Sequence, residues 1–403
     1  VKILIFTPYA KPNGAEKMLW YLLQNADRSK FRFHVYTYTE GSLLKELPID
    51  VGYTLPYKPK PVKNNPVKKK WLQIKNKFIY WKTGKYPAVV PPYNTKRHII
   101  ELHEQFKPDL WYINTIHMGP IAELATQHQI PFVVHFHDML YLYTYISYKH
   151  LDTIIRNAQL LLGCAQCVCD KLKIMGGQKI IALQYECVDT YIQQPAEVTL
   201  QKMRKELEIS PDSFVWVMPG SIDIRKGTDM ITKIAQIMGS KITILCLGTV
   251  ENGYGYYIEK ETAYYNLSNV IITGFKTEDY FEYLALGDGL LLTSREDPFP
   301  LVMIEGAAIG LPIVSFNSGG VSEFVQEGMG VVIDSWNVED MIEAMEKVMK
   351  GEVFLDKSVS KKRAAEFDYR LQVKHWENLM TTYFVENQQI KERSVANSVS
   401  NVE

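Results

Sequence analysis

Residues 296–320 read EDPFPLVMIEGAAIGLPIVSFNSGG. Two adjacent acids, Glu296 and Asp297, precede a proline-framed aromatic, and the apolar run beyond it contains a third acid, Glu305. Pro298 and Pro300 belong at or before a helix start, because proline has no N–H to donate and its φ is fixed. The run LVMIEGAAIG then predicts a helix that stops near Gly310, ahead of Pro312. Its first-turn amides, around Pro300, Leu301 and Val302, have no intrahelical acceptor, and such an end suits a phosphate. A short strand, LPIVSF, and the glycine pair Gly319-Gly320 come next.

Asp297 and Glu305 enclose seven residues. In a helix that spacing is a rise of at most ~12 Å. Such a separation is too large for a retaining-glycosidase acid pair, whose carboxyls stand ~5 Å apart. It suits the two ends of one long ligand with hydroxyls at each end and phosphates between, which is the layout of a nucleotide-sugar. The alternative is a surface acid and a helix acid that both face solvent. Against it, Glu305 comes directly after Val302, Met303 and Ile304, so it faces either the core or a cleft.

Outside this segment one grammar runs twice. VKILIF leads into GAEKMLWYLLQNA, and DLWYIN, MGPIAELATQH and PFVVHF come after it. The pattern restarts at FVWVMP and continues through GTDMITKIAQIM, KITILCL, NVIITG, TEDYFEYLALG, DGLLLTS and LPIVSF. Continuous apolar strands alternating with helices predict parallel sheets covered on both faces. The expected fold class is therefore α/β, with two Rossmann-like doubly wound domains facing across a cleft. Ligands in such sheets gather at the carboxyl ends of the strands. The predicted organisation is an N-terminal domain over 1–195, a second domain over 196–370, a helix over 371–386 and a polar, uneven tail over 387–403.

At 403 residues the chain exceeds the usual limit of ~250 for one core, which agrees with two domains. Lys plus Arg and Asp plus Glu number 45 each, so the net charge points to no nucleic-acid partner. The N-terminal apolar stretch is shorter than a secretion signal requires, and no apolar run reaches a membrane span. Five cysteines, an odd number, favour free thiols and the cytoplasm. CAQCVC at 164–169 resembles half of a metal site, but no second cluster stands at zinc-like spacing, so no metal is expected. Residues 57–93 are dense in lysine, proline and aromatics, Trp71, Phe78, Tyr80 and Trp81 among them. That segment is either a solvated basic insertion or a surface that docks on anionic lipid or a phosphate-bearing acceptor.

The 296–320 segment resembles the acidic–seven–acidic signature of family 4 of the retaining glycosyltransferases, which have the GT-B fold. The resemblance covers roughly residues 1–385. It implies that Asp297, standing where the family usually has Glu, contacts the donor sugar, that Glu305 contacts the nucleotide ribose, and that Glu296 is an exposed neighbour. PYAKPNGAEKML matches the family's first phosphate-side turn, with Asn13-Gly14 in place of a glycine pair. Asn tolerates φ > 0 better than most residues, which would preserve the turn; Glu16 is expected to cap the helix. PFVVHFHDML puts His135 and His137 on one side of a strand, and the resemblance implies that His137 faces the donor sugar while His135 packs. In VMPGSIDIRKGTDM the family's Lys-Gly is intact as Lys226-Gly227, but Ser221 stands where an arginine is usual; Arg225 is the candidate substitute. Phe275 and Lys276 are expected to border the base, and Gly319, Gly320 and Glu323 to sit near the donor.

The resemblance implies transfer of sugar from a nucleotide-sugar such as a UDP- or GDP-sugar, without cofactor or metal, to a glycan or lipid-linked acceptor in polysaccharide biosynthesis. Lys226 and the helix N-terminus would stabilise the leaving diphosphate. The terminal helix is expected to cross back to the first domain. Two other readings stay open, a catalytically impaired GT-B subunit, suggested by Ser221 and Asn13, and a sugar-nucleotide 2-epimerase.

Overall fold

A computed structural model describes residues 1–56, 95–176, 179–250 and 253–399, with side chains described as far as 384. The basic segment 57–93 lies outside the described residues. The apolar runs form strands β1 (Lys2–Thr7), β2 (Arg32–Thr37), β3 (Gly52–Thr54), β4 (Leu110–Ile113), β5 (Phe132–Phe136), β6 (Leu160–Gly163) and β7 (Ile181–Leu183). They make one sheet in the order β3-β2-β1-β4-β5-β6-β7. A second sheet, ordered β10-β9-β8-β11-β12-β13, comprises β8 (Phe214–Pro219), β9 (Ile242–Leu247), β10 (Val270–Ile272), β11 (Gly289–Leu292), β12 (Ile313–Phe316) and β13 (Gly330–Ile333). The pairings are parallel; Ile5, for example, lies opposite Val35 on one side and Tyr112 on the other. Ile3, Leu4, Ile5 and Phe6 are all at most 1% exposed, so helices cover both faces as a fully apolar strand requires.

This is the expected doubly wound pair. In each sheet the strand order reverses once, between β1 and β4 and between β8 and β11. Loops leaving those strands diverge to opposite faces and open a crevice at the carboxyl ends.

Five helices frame that crevice and join the domains: α1 (Gly14–Asn25), α2 (Gln166–Gly176), α3 (Leu301–Ile309), α4 (Lys357–Ala365) and α5 (Tyr369–Val399). The segment 301–309 is apolar nearly all round, and a helix of that kind has to be buried. Leu301, Met303, Ile304 and Ala307 are indeed inside. A Cβ at Gly306 would come within 2.9 Å of Leu290 Cδ2, so α3 lies directly against β11. Pro300 caps its start in an extended conformation, and Gly310, at φ 83°, ends it in the left-handed region.

The chain crosses between the sheets twice at one place. The irregular stretch 184–196 leads out of the first sheet, and Val188 pairs in parallel with Asp368 on the returning strand of chain. Helix α5 then packs on the first domain. Trp376 sits 5.1 Å from Phe31 and 6.0 Å from Tyr112 between ring centroids, and Tyr369 stacks on Tyr21 at 4.9 Å. The helix does not stop near 386 before an uneven tail; its backbone continues to Val399. Polar composition did not prevent this, because a helix already nucleated on a packed face extends at little further entropy cost. No helix among the described residues is long and apolar enough to cross a membrane.

Trp376 is fully buried in the cluster that fastens α5 to the first sheet. Trp376→Ala is expected to cost about 3–5 kcal/mol. Urea unfolding followed by circular dichroism measures it, and an unchanged midpoint would mean that the returning helix does not hold the first domain.

Candidate functional site

Both switch points open onto the same cleft. From the first sheet, β1 hands over to the turn before α1, and β4 to Asn114. From the second, β8 leads to 220–226 and β11 to 293–300. The two helix starts face one another: a Cβ at Gly14 would stand 3.9 Å from Leu301 Cδ1. The first-turn amides of α1 and α3 therefore converge from the two domains, and each end carries the positive pole of a helix dipole.

Asn13 caps α1 at φ −78°, so the turn needs no left-handed residue and the expected tolerance of asparagine for φ > 0 is not used. Glu16 stands in the first turn of α1, where its carboxyl accepts a backbone N–H as a capping acid does. It is buried, its carboxylate accepting the Thr7 hydroxyl at 3.2 Å, and burial pushes its carboxyl up to about 7. Asn114 donates through Nδ2 to Ala15 O at 3.2 Å, which ties the end of β4 to the first turn of α1.

Around α3 the two leading acids have separate tasks. Asp297 is buried and accepts Lys226 Nζ at 2.5 Å, with Arg225 Nη1 4.0 Å away. Glu296 is not an exposed neighbour; its Oε1 accepts the Tyr141 backbone N–H at 2.8 Å, a bond between the domains. The loop holding Asp297 is pinned by the glycine pair. Asp297 N donates to Ser318 O at 2.9 Å, and Gly320 N to Pro298 O at 2.9 Å. Gly319 takes φ 148°, and a Cβ there would meet Asp297 O at 2.3 Å, so only glycine fits. A Cβ at Gly227 would likewise meet Thr293 O at 2.1 Å, which sets Lys226 against the end of β11.

Glu305, also buried, accepts Tyr280 OH at 2.6 Å and Lys17 Nζ at 3.3 Å. Lys17 is on α1, so this ion pair spans the cleft. Burial pushes the Tyr280 hydroxyl up, and the neighbouring Glu305 carboxylate adds to that shift.

Several expected residues are engaged by other partners. Ser221 is exposed and hydrogen-bonds the Asp223 carboxylate. Arg225 turns back on its own domain, donating to Glu296 O at 3.0 Å. Glu323 has its carboxylate on the start of α2, accepting Gln166 N and Cys167 N at 2.7 Å each, so it caps a helix of the other domain. Phe275 is exposed beyond the end of β10, and Lys276 Nζ lies 4.1 Å over the Tyr283 ring.

His137 and His135 share one side of β5, their rings 4.0 Å apart. His135 packs, bonded to Tyr112 OH at 2.8 Å and Gln184 O at 3.3 Å. His137 Nδ1 lies 2.5 Å from Glu186 Oε1, and Nε2 lies 3.2 Å from Asn114 Oδ1. Donor atoms of His137, Glu186 and Cys164 fall within 4.8 Å of one another. An ion held by nitrogen and oxygen at about 2.0–2.2 Å would keep those two atoms roughly 3 Å or more apart. The 2.5 Å contact is that of a hydrogen bond with one proton between nitrogen and oxygen.

Sequence reasoning did not find Lys17, Tyr280, Asn114 or Glu186. Asn114 alone had a visible signal, a polar residue closing the apolar strand DLWYIN at a carboxyl end.

Residues 200–366 match the family described as Glycosyl transferases group 1. Over 166 residues the chain is 29% identical to an uncharacterized glycosyltransferase of Haemophilus influenzae, a match covering 38% of this chain and 45% of that protein. Over 154 residues it is 24% identical to a D-inositol 3-phosphate glycosyltransferase of Paenarthrobacter aurescens, covering 36% and 38%. The matches thus span less than half the length of these curated relatives. Among solved structures, Anabaena HepE in complex with UDP and glucose superposes with TM-score 0.73 at 19% identity, over 94% of this chain and 99% of that one. A sucrose-phosphate synthase of Thermosynechococcus elongatus gives 0.70 at 14% identity, over 96% and 99%. These likenesses show the GT-B fold.

The raised Glu16 carboxyl makes a pH test. Unfolded, the group ionises near 4.5; folded, near 7. Across that window the folded chain holds a proton that the unfolded chain has lost, so stability falls as pH rises. Glutamine keeps the neutral form. Glu16→Gln should therefore gain on the wild type between about pH 5 and pH 8, by on the order of 2–3 kcal/mol. Melting temperatures at the two pH values check this, and an equal offset at both would show that Glu16 does not titrate.

Proposed function

We propose that the chain is a retaining glycosyltransferase using a nucleotide-sugar, a reading supported by the match of residues 200–366 to the glycosyl transferases group 1 and by the two-domain GT-B frame. The observation that carries this reading is the arrangement around α3: Asp297 at one end, Glu305 at the other, and the α1 and α3 starts converging between them with Lys226 and Lys17. An extended ligand with a central diphosphate fits that order of charges. Sugar hydroxyls meet Asp297 and His137, phosphates meet the helix starts and Lys226, and ribose hydroxyls meet Glu305. The HepE complexes with UDP and glucose and with UDP-glucose favour a UDP-sugar as donor. The acceptor is a glycan or a lipid-linked precursor of one.

The chemistry is governed by where charge grows. As the anomeric carbon–oxygen bond to the phosphate breaks, negative charge develops on the diphosphate, where Lys226 and two sets of fixed amides stabilise it. The acceptor oxygen bonds the anomeric carbon from the face the phosphate leaves. Its proton passes to the departing phosphate oxygen, so configuration is retained and no side chain has to act as base. Closure of the two domains around the donor would exclude water and so suppress its hydrolysis.

A thermal-shift screen of nucleoside diphosphates and nucleotide-sugars without divalent metal tests the reading. A ligand at ~100 times its Kd adds ~2.7 kcal/mol, and Glu305→Ala should abolish that shift. Lys226→Ala should lower kcat by about 10²–10³. If no nucleotide stabilises the wild type, the active-transferase reading fails and a binding subunit takes its place.

A further inference from the structure

The hydrogen-bond network around His137 fixes where its protons are. Asn114 Nδ2 donates to Ala15 O at 3.2 Å, so the amide cannot turn over without setting its oxygen against that carbonyl. Asn114 Oδ1 is therefore the atom 3.2 Å from His137 Nε2, and Nε2 must carry the hydrogen. At the other side of the ring, Nδ1 and Glu186 Oε1 are 2.5 Å apart and need one proton between them. Placed on Nδ1, that proton makes an imidazolium facing a carboxylate. Placed on Oε1, it makes a neutral ring facing a neutral acid.

Several observations favour the neutral pair. His137 and Glu186 have side chains only 4% and 6% exposed, and separated charges are costly there. Glu186 Oε2 is buried with no hydrogen-bond partner among the described residues, an arrangement far more costly for an anion than for a carbonyl-like oxygen. The groups facing the pair are Asp297 from the loop after β11, Asp138 from the end of β5, the thiols Cys164 and Cys187, and His135 along the strand; Asp138 and His135 work against the neutral pair, and burial outweighs them. Asp297, itself 2.5 Å from Lys226, adds to the pressure against a charge on Glu186. Burial moves the two groups in opposite directions but toward the same neutral pair, Glu186 up and His137 down, which places the proton on the acid.

We propose that Asn114 and Glu186 are positioning residues for His137: Glu186 acts as a neutral carboxylic acid that donates to Nδ1, Asn114 accepts from Nε2–H, and His137 is held as a neutral ring with a single tautomer that does not act as a base. The catalytic sense of this rests on the proposed function: a ring with both nitrogens engaged takes no proton from the acceptor and leaves it for the departing phosphate. The proton arrangement does not rest on that reading, and can be tested without any nucleotide.

The experiment is nitrogen NMR of the full chain labelled with ¹⁵N-histidine, at about pH 6, with His137 identified by the signals absent from His137→Gln. Wild type should show Nε2 protonated and Nδ1 bare but hydrogen-bonded. Glu186→Gln, whose amide donates to Nδ1 as the neutral acid does, should keep that pattern. Glu186→Ala should move Nδ1 to the position of a bare nitrogen without a donor. A wild-type imidazolium that becomes neutral in Glu186→Gln overturns the proposal, and so does a ring protonated at Nδ1 alone. Should Glu186→Ala not fold, the comparison of wild type with Glu186→Gln decides by itself. A purely structural role for Glu186 would change stability and leave no such signature.

Discussion

Carboxylates removed from water need donors, and in this chain they find them mostly on other segments. Glu305 takes Lys17 from α1, Glu296 takes the Tyr141 amide, and Glu323 takes the first amides of α2. At the crossing, Asp368 accepts the Thr190 hydroxyl at 2.7 Å, and on the returning helix Glu377 accepts Asp27 N at 2.5 Å. Each of these acids is separated in sequence from its donor by well over a hundred residues: Glu305, Glu296 and Glu323 join the two domains, while Asp368 and Glu377 fasten the crossing and the returning helix. Removing one partner of such a pair leaves a buried charge uncompensated, which is more destabilising than the pair itself is stabilising.

The parts of this arrangement that the sequence makes legible are those written in periodicity and backbone chemistry. Uninterrupted apolar runs gave parallel strands, two prolines and a glycine bounded α3, and the seven-residue spacing distinguished Asp297 from Glu296. The residues it concealed are those whose role depends on a partner far along the chain. Glu186 comes from an irregular stretch with no pattern of its own, 49 residues from His137. Glu296 reads as a surface acid because its partner is a backbone amide, and every residue but proline has one. Glu323 stands just after a glycine pair, and only the packed structure shows that its carboxylate reaches across to a helix start in the other domain.

Ser221 and Asn13 are the two departures from the resemblance, and their local geometry explains how the site tolerates them. Asn13 sits in ordinary extended backbone, so the turn before α1 asks nothing of a second glycine. Ser221 binds Asp223, whose other oxygen accepts Lys226 N at 2.9 Å; the serine thus helps to hold the loop that delivers the lysine. A cation has not simply been lost from the cleft, because Lys17 reaches it from the opposite domain.

The pairing of these cations constrains how the cleft works under the proposed function. Lys226 is held by Asp297 and Lys17 by Glu305, so the two cations nearest the helix starts are already neutralised by the acids that flank them. An entering diphosphate competes for both, and only the excess over these internal pairs is available for binding. The sugar and ribose hydroxyls offset part of that loss by donating to the acids released. A nucleoside diphosphate and its sugar-bearing form therefore engage this cleft differently: the first replaces Glu305's partner, the second replaces both. Under that reading, donor and spent nucleotide would differ in how many of these internal pairs they replace.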